Sequence, residues 1–522
     1  MAFDYLLTGA EVYDGLGNPP RCVDVGITGD QITAVEPELR AEADNTVNLT
    51  GCVLCPGFID VHSHSDIYAL VEPSAFSKIT QGVTTEVVGN CGASAAPRYG
   101  AHRLPADWAR LELPGAWQTV ADYRVLVDTV QPAVNLALLV GHNTLRAGAV
   151  GYDGRAATPT EMCQMEDRLR QALDEGAIGL STGLIYIPGR FAPREEIEQL
   201  CRIVAEQDAI YTSHMRSEGD GLLDALDETL GYGRTSGARV QVSHLKTSGR
   251  DNWSKLDAAL ERIWHAREHD GLDVCADRYP YIAACTDLDI VLPDWALDGG
   301  RTAILERVRN PQTRAQLHAE MTAARDPDYW GSVTVGSTHH PDIQPFKGQP
   351  LCDVATALEL DPVAAVLYLI DRDELQTTGI FFGMNEDNMW RILAEPYVML
   401  GSDGSVFAPT GPLSENHPHP RAYGSFPRWL RAVCDGRCVP LAEAIRKMTA
   451  LPAAQFGFSD RGICAPGYRA DLTAFRKDTV ADRADFVNPH QAAVGIDYVM
   501  VNGVPTYVDG QLTGRRAGRF VA

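Results

Sequence analysis

The sequence contains no uninterrupted apolar stretch approaching the roughly 20 residues needed to cross a bilayer, so no membrane-spanning helix is expected in its 522 residues. Basic side chains are in deficit: 45 Lys and Arg face 69 Asp and Glu, for a net charge of -24. That balance opposes attraction to nucleic acid and to anionic membranes, and it leaves a surface that favours solubility. The opening residues carry Asp4 and then read as strand and turn, without a basic n-region or a small-residue cleavage site, and a cytoplasmic protein is expected. The 12 cysteines follow no framework spacing, which predicts reduced thiols rather than disulfides. Cys52-Val53-Leu54-Cys55 matches C-x-x-C in form. It has no second pair at zinc-ribbon spacing and lies in an apolar strand-like run, so it is read as structural. Internal repeats and low-complexity tracts are also missing.

What is present is a change of rhythm along the chain. Residues 1–55 alternate short strands with turns, as in Leu6-Leu7-Thr8-Gly9-Ala10-Glu11-Val12-Tyr13 followed by Asp14-Gly15. From Pro56 onward, strand-like runs alternate with amphipathic helices, for example Gly176 to Ser181, a helix over Arg194 to Gln207, and then Ala209 to Ser213. Such alternation predicts βα units and a parallel sheet. Eight runs begin at Phe58, Thr84, Val134, Ala177, Ala209, Arg239, Leu272 and Tyr397, the number a closed barrel requires.

Between the seventh and eighth runs lies a long stretch with a helical segment near Thr302 to Ala324 and strand-like runs at Ser332 to Gly336 and Gly379 to Gly383. It is read as an insertion over about 285–396, with the alternative that one of its runs supplies a barrel strand. After about Arg461, strand and turn return in Ala470 to Phe475 and Asp497 to Gly503. The expected fold class is α/β: a (β/α)8 TIM-like barrel over 56–461, with a small β-sandwich domain built from both termini, 1–55 and 462–522.

Four of the runs end in metal-ligand side chains. Phe58-Ile59-Asp60-Val61 leads into His62-Ser63-His64, Ile210-Tyr211-Thr212-Ser213 into His214, Val240-Gln241-Val242-Ser243 into His244, and Tyr397-Val398-Met399-Leu400 into Gly401-Ser402-Asp403. A parallel barrel gathers the C-terminal ends of its strands at one mouth, so these residues are expected to converge on a catalytic metal. His62 and His64 flank one residue and project to the same side of an extended chain.

Pro56-Gly57-Phe58-Ile59-Asp60-Val61-His62-Ser63-His64-Ser65-Asp66 resembles the first-strand motif of the amidohydrolase superfamily, whose members place metals at the mouth of a (β/α)8 barrel. Gly89-Asn90-Cys91-Gly92, Gly183-Leu184-Ile185-Tyr186, Ser213-His214-Met215-Arg216, Ser243-His244-Leu245-Lys246, Tyr279-Pro280-Tyr281, Ser402-Asp403-Gly404 and His419-Pro420-Arg421 together resemble its D-aminoacylase (N-acyl-D-amino-acid deacylase) family. The matches run from residue 56 to about 425.

The resemblance implies zinc-dependent hydrolysis of a linear, non-peptide amide in an N-acyl-D-amino acid. Cys91, His214 and His244 would hold one tight Zn2+, and His62, His64 and Asp403 would surround a second, weaker position. The matching fourth-strand run, Gly179-Leu180-Ser181-Thr182-Gly183, has no lysine to bridge two metals, and the soft thiolate of Cys91 favours zinc over harder cations. Asp403 would act as general base and then acid, because an amine does not leave unprotonated. Lys246, Arg421, Tyr279, Tyr186 and Cys285 match positions around the substrate, with Arg421 expected on its carboxylate.

Cys285 stands where the resemblance implies a small hydroxyl residue, which weakens the hydrogen bond expected there. Arg190 adds a cation near the fourth-strand mouth, His142 is a candidate pocket residue, and the excursion from Arg98 to Trp117 reads as part of a lid or as a packing surface for a neighbouring subunit. The expected partner is a small-molecule substrate, with no nucleic acid or membrane and with homo-oligomerisation left open. The alternatives are a cyclic-amide hydrolase of the hydantoinase or dihydroorotase kind, and an inactive scaffold that keeps only the barrel.

Overall fold

The near-continuous apolar character of the central runs follows from their surroundings, since a parallel strand covered on both faces has no polar side to offer water. A computed structural model describes residues 3–522. Eight parallel strands form its centre: β1 (Phe58–Asp60), β2 (Val83–Val88), β3 (Asn135–Gly141), β4 (Gly179–Gly183), β5 (Ile210–His214), β6 (Arg239–Val242), β7 (Val274–Arg278) and β8 (Val398–Leu400). They pair in chain order. A parallel bridge between Ser63 and Gly404, with Asp403 N donating to His62 O at 2.7 Å, joins β8 to β1 just beyond their ends. The fold is therefore the TIM-like barrel that the eight runs predict.

Helices cover the barrel from outside. Thr158 begins Pro159–Asp174 with a reciprocal capping box to Glu161 and Pro159 at the first turn, the combination that satisfies otherwise orphaned N–H groups. Arg194–Glu206, Leu222–Ser236 and Leu256–Glu268 follow β4, β5 and β6.

The chain between β7 and β8 leaves the barrel. Ala283–Asp287, Val333–Val335 and Thr378–Phe382 make a separate antiparallel sheet, so neither strand-like run of this stretch is a barrel strand. The expected helix near 302–324 is two helices, Gly300–Arg309 and Pro311–Ala323, divided where Asn310 caps the second and Pro311 opens it. Leu288, Ile304, Leu317, Trp330, Val354 and Val366 belong to a hydrophobic core of its own. Glu386–Ala394 packs on β7 and β8 and belongs to the barrel, so the excursion ends nearer residue 383 than 396.

Of two further sheets, the four-stranded one is built from residues 3–48 and the seven-stranded one joins strands from both ends of the chain, and Val25, Ile27 and Ile32 of the first meet Leu54, Leu472 and Met500 of the second in a shared core. The last strand departs from this arrangement. Phe520–Val521 pairs in parallel with β3 at Leu136 and Ala137. β4 meets β3 only from Leu139 onward, which leaves the lower edge of β3 open for that pairing. All 12 cysteines are free, and burial holds the Cys55 thiol well above its ordinary value. No helix among the described residues is long and apolar enough to cross a membrane.

Candidate metal centre

The barrel brings all six expected ligands together at the C-terminal ends of its strands. His62, His64, Cys91 and Asp403 present ligand atoms within 4.8 Å of one another, and Cys91, His214 and His244 form a second such group. Cys91 Sγ lies 3.2 Å from His62 Nε2 and 3.5 Å from His244 Nε2. His64 Nε2 lies 3.0 Å from Asp403 Oδ1. His214 is buried, and neither of its ring nitrogens has a hydrogen-bond partner. A buried imidazole left without a hydrogen-bond partner next to a thiol and a second imidazole has the chemistry of an S/N donor set for zinc.

Local backbone geometry serves this convergence. Cys91 (φ 54°), His244 (φ 33°) and Asp403 (φ 52°) all occupy the left-handed region, which costs a non-glycine residue on the order of 1–3 kcal/mol. The glycines around Cys91 have a packing reason: a Cβ on Gly89 would lie 2.1 Å from Leu139 O, and one on Gly92 2.7 Å from Gly183 N. The turn after β2 is thereby pressed against β3 and β4, which aims the sulfur inward.

The charges balance. Burial alone would raise the Cys91 thiol, but His62, His244 and His214 hold it well below the ordinary thiol value. Burial likewise opposes ionisation of Asp403, and Arg421, His244, His64 and His62 together keep it well below the usual carboxylate range. Arg421 Nη1 stands 2.7 Å from Asp403 Oδ2. The angle is too poor for a hydrogen bond, so Nη1 has charge contact but keeps its donor capacity. Asp277 supports the cluster from β7: it accepts from Gln241 Nε2 at 2.8 Å and from His244 N at 2.9 Å, and lies 3.2 Å from His62 Nδ1.

The expected substrate residues surround the same space. Arg421 begins the helix Arg421–Cys434 and donates through Nη2 to Cys285 O at 3.1 Å, so Cys285 contributes its carbonyl to Arg421. His419 donates through Nε2 to Ala283 O and accepts Arg421 N on Nδ1, which ties the added sheet to the start of that helix. The Arg421 guanidinium lies 4.8 Å from the Tyr279 ring centroid, and the Tyr279 hydroxyl is buried without a partner. Tyr186 packs edge-on against His214 at 4.9 Å and accepts a hydrogen bond from Thr286 Oγ1 at 3.0 Å. Lys246 Nζ meets Glu218 Oε1 at 2.5 Å.

Other candidates lie elsewhere. His142 is turned away to Glu196 at 2.8 Å, and Arg190 is paired with Asp294. In the Arg98 to Trp117 excursion both tryptophans are buried, Trp117 Nε1 donates to Ala95 O, and Arg110 donates to Asn416.

The acids and the lysine beneath the site escaped sequence reasoning. Lys78 is fully buried, 2.8 Å from Asp60 Oδ2, 2.9 Å from Glu86 Oε1, and within 2.9 Å of Ser402 Oγ and Gly404 O. It stitches the His62 and Asp403 segments together. Burial opposes its charge, and the two carboxylates more than offset that. Lys78→Met should lower stability by about 3–5 kcal/mol by leaving Asp60 and Glu86 buried and unpaired, as measured by the urea unfolding midpoint.

A parallel barrel with a His, Cys and Asp cluster at its mouth defines a metal-dependent hydrolase class, and the chain belongs to the amidohydrolase family, whose model matches residues 45–507. It is similar to the D-aminoacylase of Alcaligenes xylosoxydans xylosoxydans, 38% identical over 523 residues that cover 100% of this chain and 98% of the other. The N-acyl-D-glutamate deacylase of the same organism is 37% identical over 520 residues, covering 99% and 96%. Among solved structures, the N-acyl-D-glutamate deacylase of Bordetella bronchiseptica, in complex with zinc and a phosphonate mimic of the tetrahedral intermediate, superimposes with a TM-score of 0.85 at 36% identity, covering 100% of both chains.

Proposed function

We propose that the protein is a zinc-dependent hydrolase that cleaves the amide of N-acyl-D-amino acids to a carboxylate and a free D-amino acid. The observation that carries this reading is a set of buried polar atoms at the mouth that lack a hydrogen-bond partner among the described residues: both ring nitrogens of His214, the Tyr279 hydroxyl and Nη1 of Arg421, the last held by charge contact with Asp403. The first suits a metal, and the other two are donors suited to a substrate carboxylate.

Cys91, His214 and His244 would hold the tight zinc, with His62, His64 and Asp403 around a second, weaker position. When bound, zinc would supply an activated water, its pKa lowered towards roughly 7, and would polarise the scissile carbonyl. Asp403, held ionised by its cationic neighbours, accepts the proton of the attacking water and delivers it to the leaving nitrogen. Lys246, Arg421 and Tyr279 bind the substrate carboxylate, Tyr186 closes the side next to His214, and Cys285 stands beside Arg421, which it holds through its backbone carbonyl. Glu218 and Asp277 orient His244 and His62 from behind.

The cyclic-amide alternative is disfavoured by a β4 that offers no lysine between its buried Gly179 and Gly183. Steady-state assays with N-acetyl-D-amino acids of neutral and acidic side chain, their L enantiomers and hydantoins test the reading. Turnover of the D series supports it, and turnover of hydantoins alone overturns it. Within that assay, Arg421→Ala should raise KM about 10- to 100-fold, the value of one charge-assisted hydrogen bond of about 1.5–3 kcal/mol. An unchanged KM across the series removes Arg421 from carboxylate binding.

A further inference from the structure

Glu218 lies in the loop between β5 and the helix Leu222–Ser236, two residues beyond the Ser213-His214-Met215-Arg216 motif and not part of it. One of its oxygens, Oε1, is 2.8 Å from His244 Nδ1 and 2.5 Å from Lys246 Nζ. The two nitrogens are themselves only 2.8 Å apart. His244 turns its other nitrogen, Nε2, towards Cys91 Sγ. If Nε2 is the zinc-binding atom, Nδ1 carries the proton. Two donors, an imidazole N–H and an ammonium, then face each other at hydrogen-bond distance, an arrangement that is repulsive unless an acceptor takes both. Among the described residues, Glu218 is the acceptor that meets both atoms.

The loop that carries this carboxylate is anchored. Ser248 N donates to Glu218 O at 2.8 Å, Asn252 Nδ2 donates to Asp220 at 3.0 Å, and Lys255 Nζ donates to Asp220 O at 2.7 Å, which clamps the Glu218 loop to the segment that follows Lys246. His244 itself sits just past the end of β6 with a positive φ of 33°.

We propose that Glu218 is a positioning residue that keeps the zinc ligand His244 and the carboxylate-binding Lys246 compatible through one shared oxygen, thereby linking metal binding to substrate recognition. The inference rests on the roles given above to His244 and Lys246. An ordinary salt bridge between Glu218 and Lys246 would serve stability alone and would leave zinc affinity untouched.

The test is a double-mutant cycle read by zinc affinity, measured by competition with a chromogenic chelator. Glu218→Gln is nearly isosteric, and it should weaken zinc roughly 10- to 100-fold, the usual effect of losing a partner behind a metal-bound histidine. In a Lys246→Met background the same substitution should cost at least several-fold less, because the facing ammonium is gone. Lys246→Met alone should keep zinc affinity within about threefold while raising KM, and this arm stands even if Glu218→Gln fails to fold. Glu218→Gln with unchanged zinc affinity, an equal loss in both backgrounds, or a marked loss of zinc in Lys246→Met alone would each overturn the proposal. The zinc readout needs no substrate, so a lack of deacylase turnover would count against the functional reading and leave this test in force.

Discussion

Asp403→Asn should lower kcat by roughly 10³-fold, within the range of about 10²–10⁴ for loss of general acid–base catalysis, and should leave one tightly bound zinc per chain. The reasoning turns on what asparagine keeps. Its shape and its carbonyl oxygen can still face His64 and Arg421, so the packing at the mouth is preserved. It cannot take a proton from water or return one to nitrogen. Cys91, His214 and His244 form a donor group that does not include Asp403, so the metal content should hold. KM should change less than kcat, although Arg421 loses its ion partner at 2.7 Å and becomes freer to bind a carboxylate. Metal analysis alongside single-turnover kinetics separates the two effects. A variant with near-normal turnover would remove Asp403 from the proton transfers.

Cys91→Ser should weaken zinc by about 10²- to 10³-fold, and turnover at stoichiometric zinc should fall in parallel. About 10 kcal/mol or more of binding energy at a protein zinc site is shared among a few ligands, which sets that scale. Serine is close in size and leaves the turn after β2 intact, but its hydroxyl does not ionise as the thiol does. With zinc bound the metal's own charge favours the thiolate, whereas a hydroxyl stays neutral and is the poorer ligand. Excess zinc should restore part of the activity. Unchanged zinc affinity in an equilibrium titration would mean that the sulfur is not a ligand.

The barrel was legible because its eight apolar runs have a physical cause, burial on both faces, and each starts within two residues of the strand it becomes. The ligands were legible because they end those runs. The supporting acids were not read, although a signal existed: Asp60, Glu86 and Asp277 each interrupt a wholly buried strand, where a charge requires a partner. Glu218 offered no such signal, since its loop has no periodicity and its partners become neighbours only when β5 and β6 align. Strand pairing in the insertion was equally hidden, because Ala283–Asp287 and Thr378–Phe382 meet across a long intervening stretch. The two-residue pairing of Phe520–Val521 with β3 is too short to leave a pattern.

Cys91, His244 and Asp403 hold backbone conformations in which glycine would be more comfortable than any of them. At these three positions the demands of folding and of chemistry therefore point in opposite directions. A chain that kept the barrel and shed the reaction would gain stability by drifting to glycine or asparagine there. The strain that cysteine, histidine and aspartate carry at these turns is thus a stability cost set against the chemistry of the site.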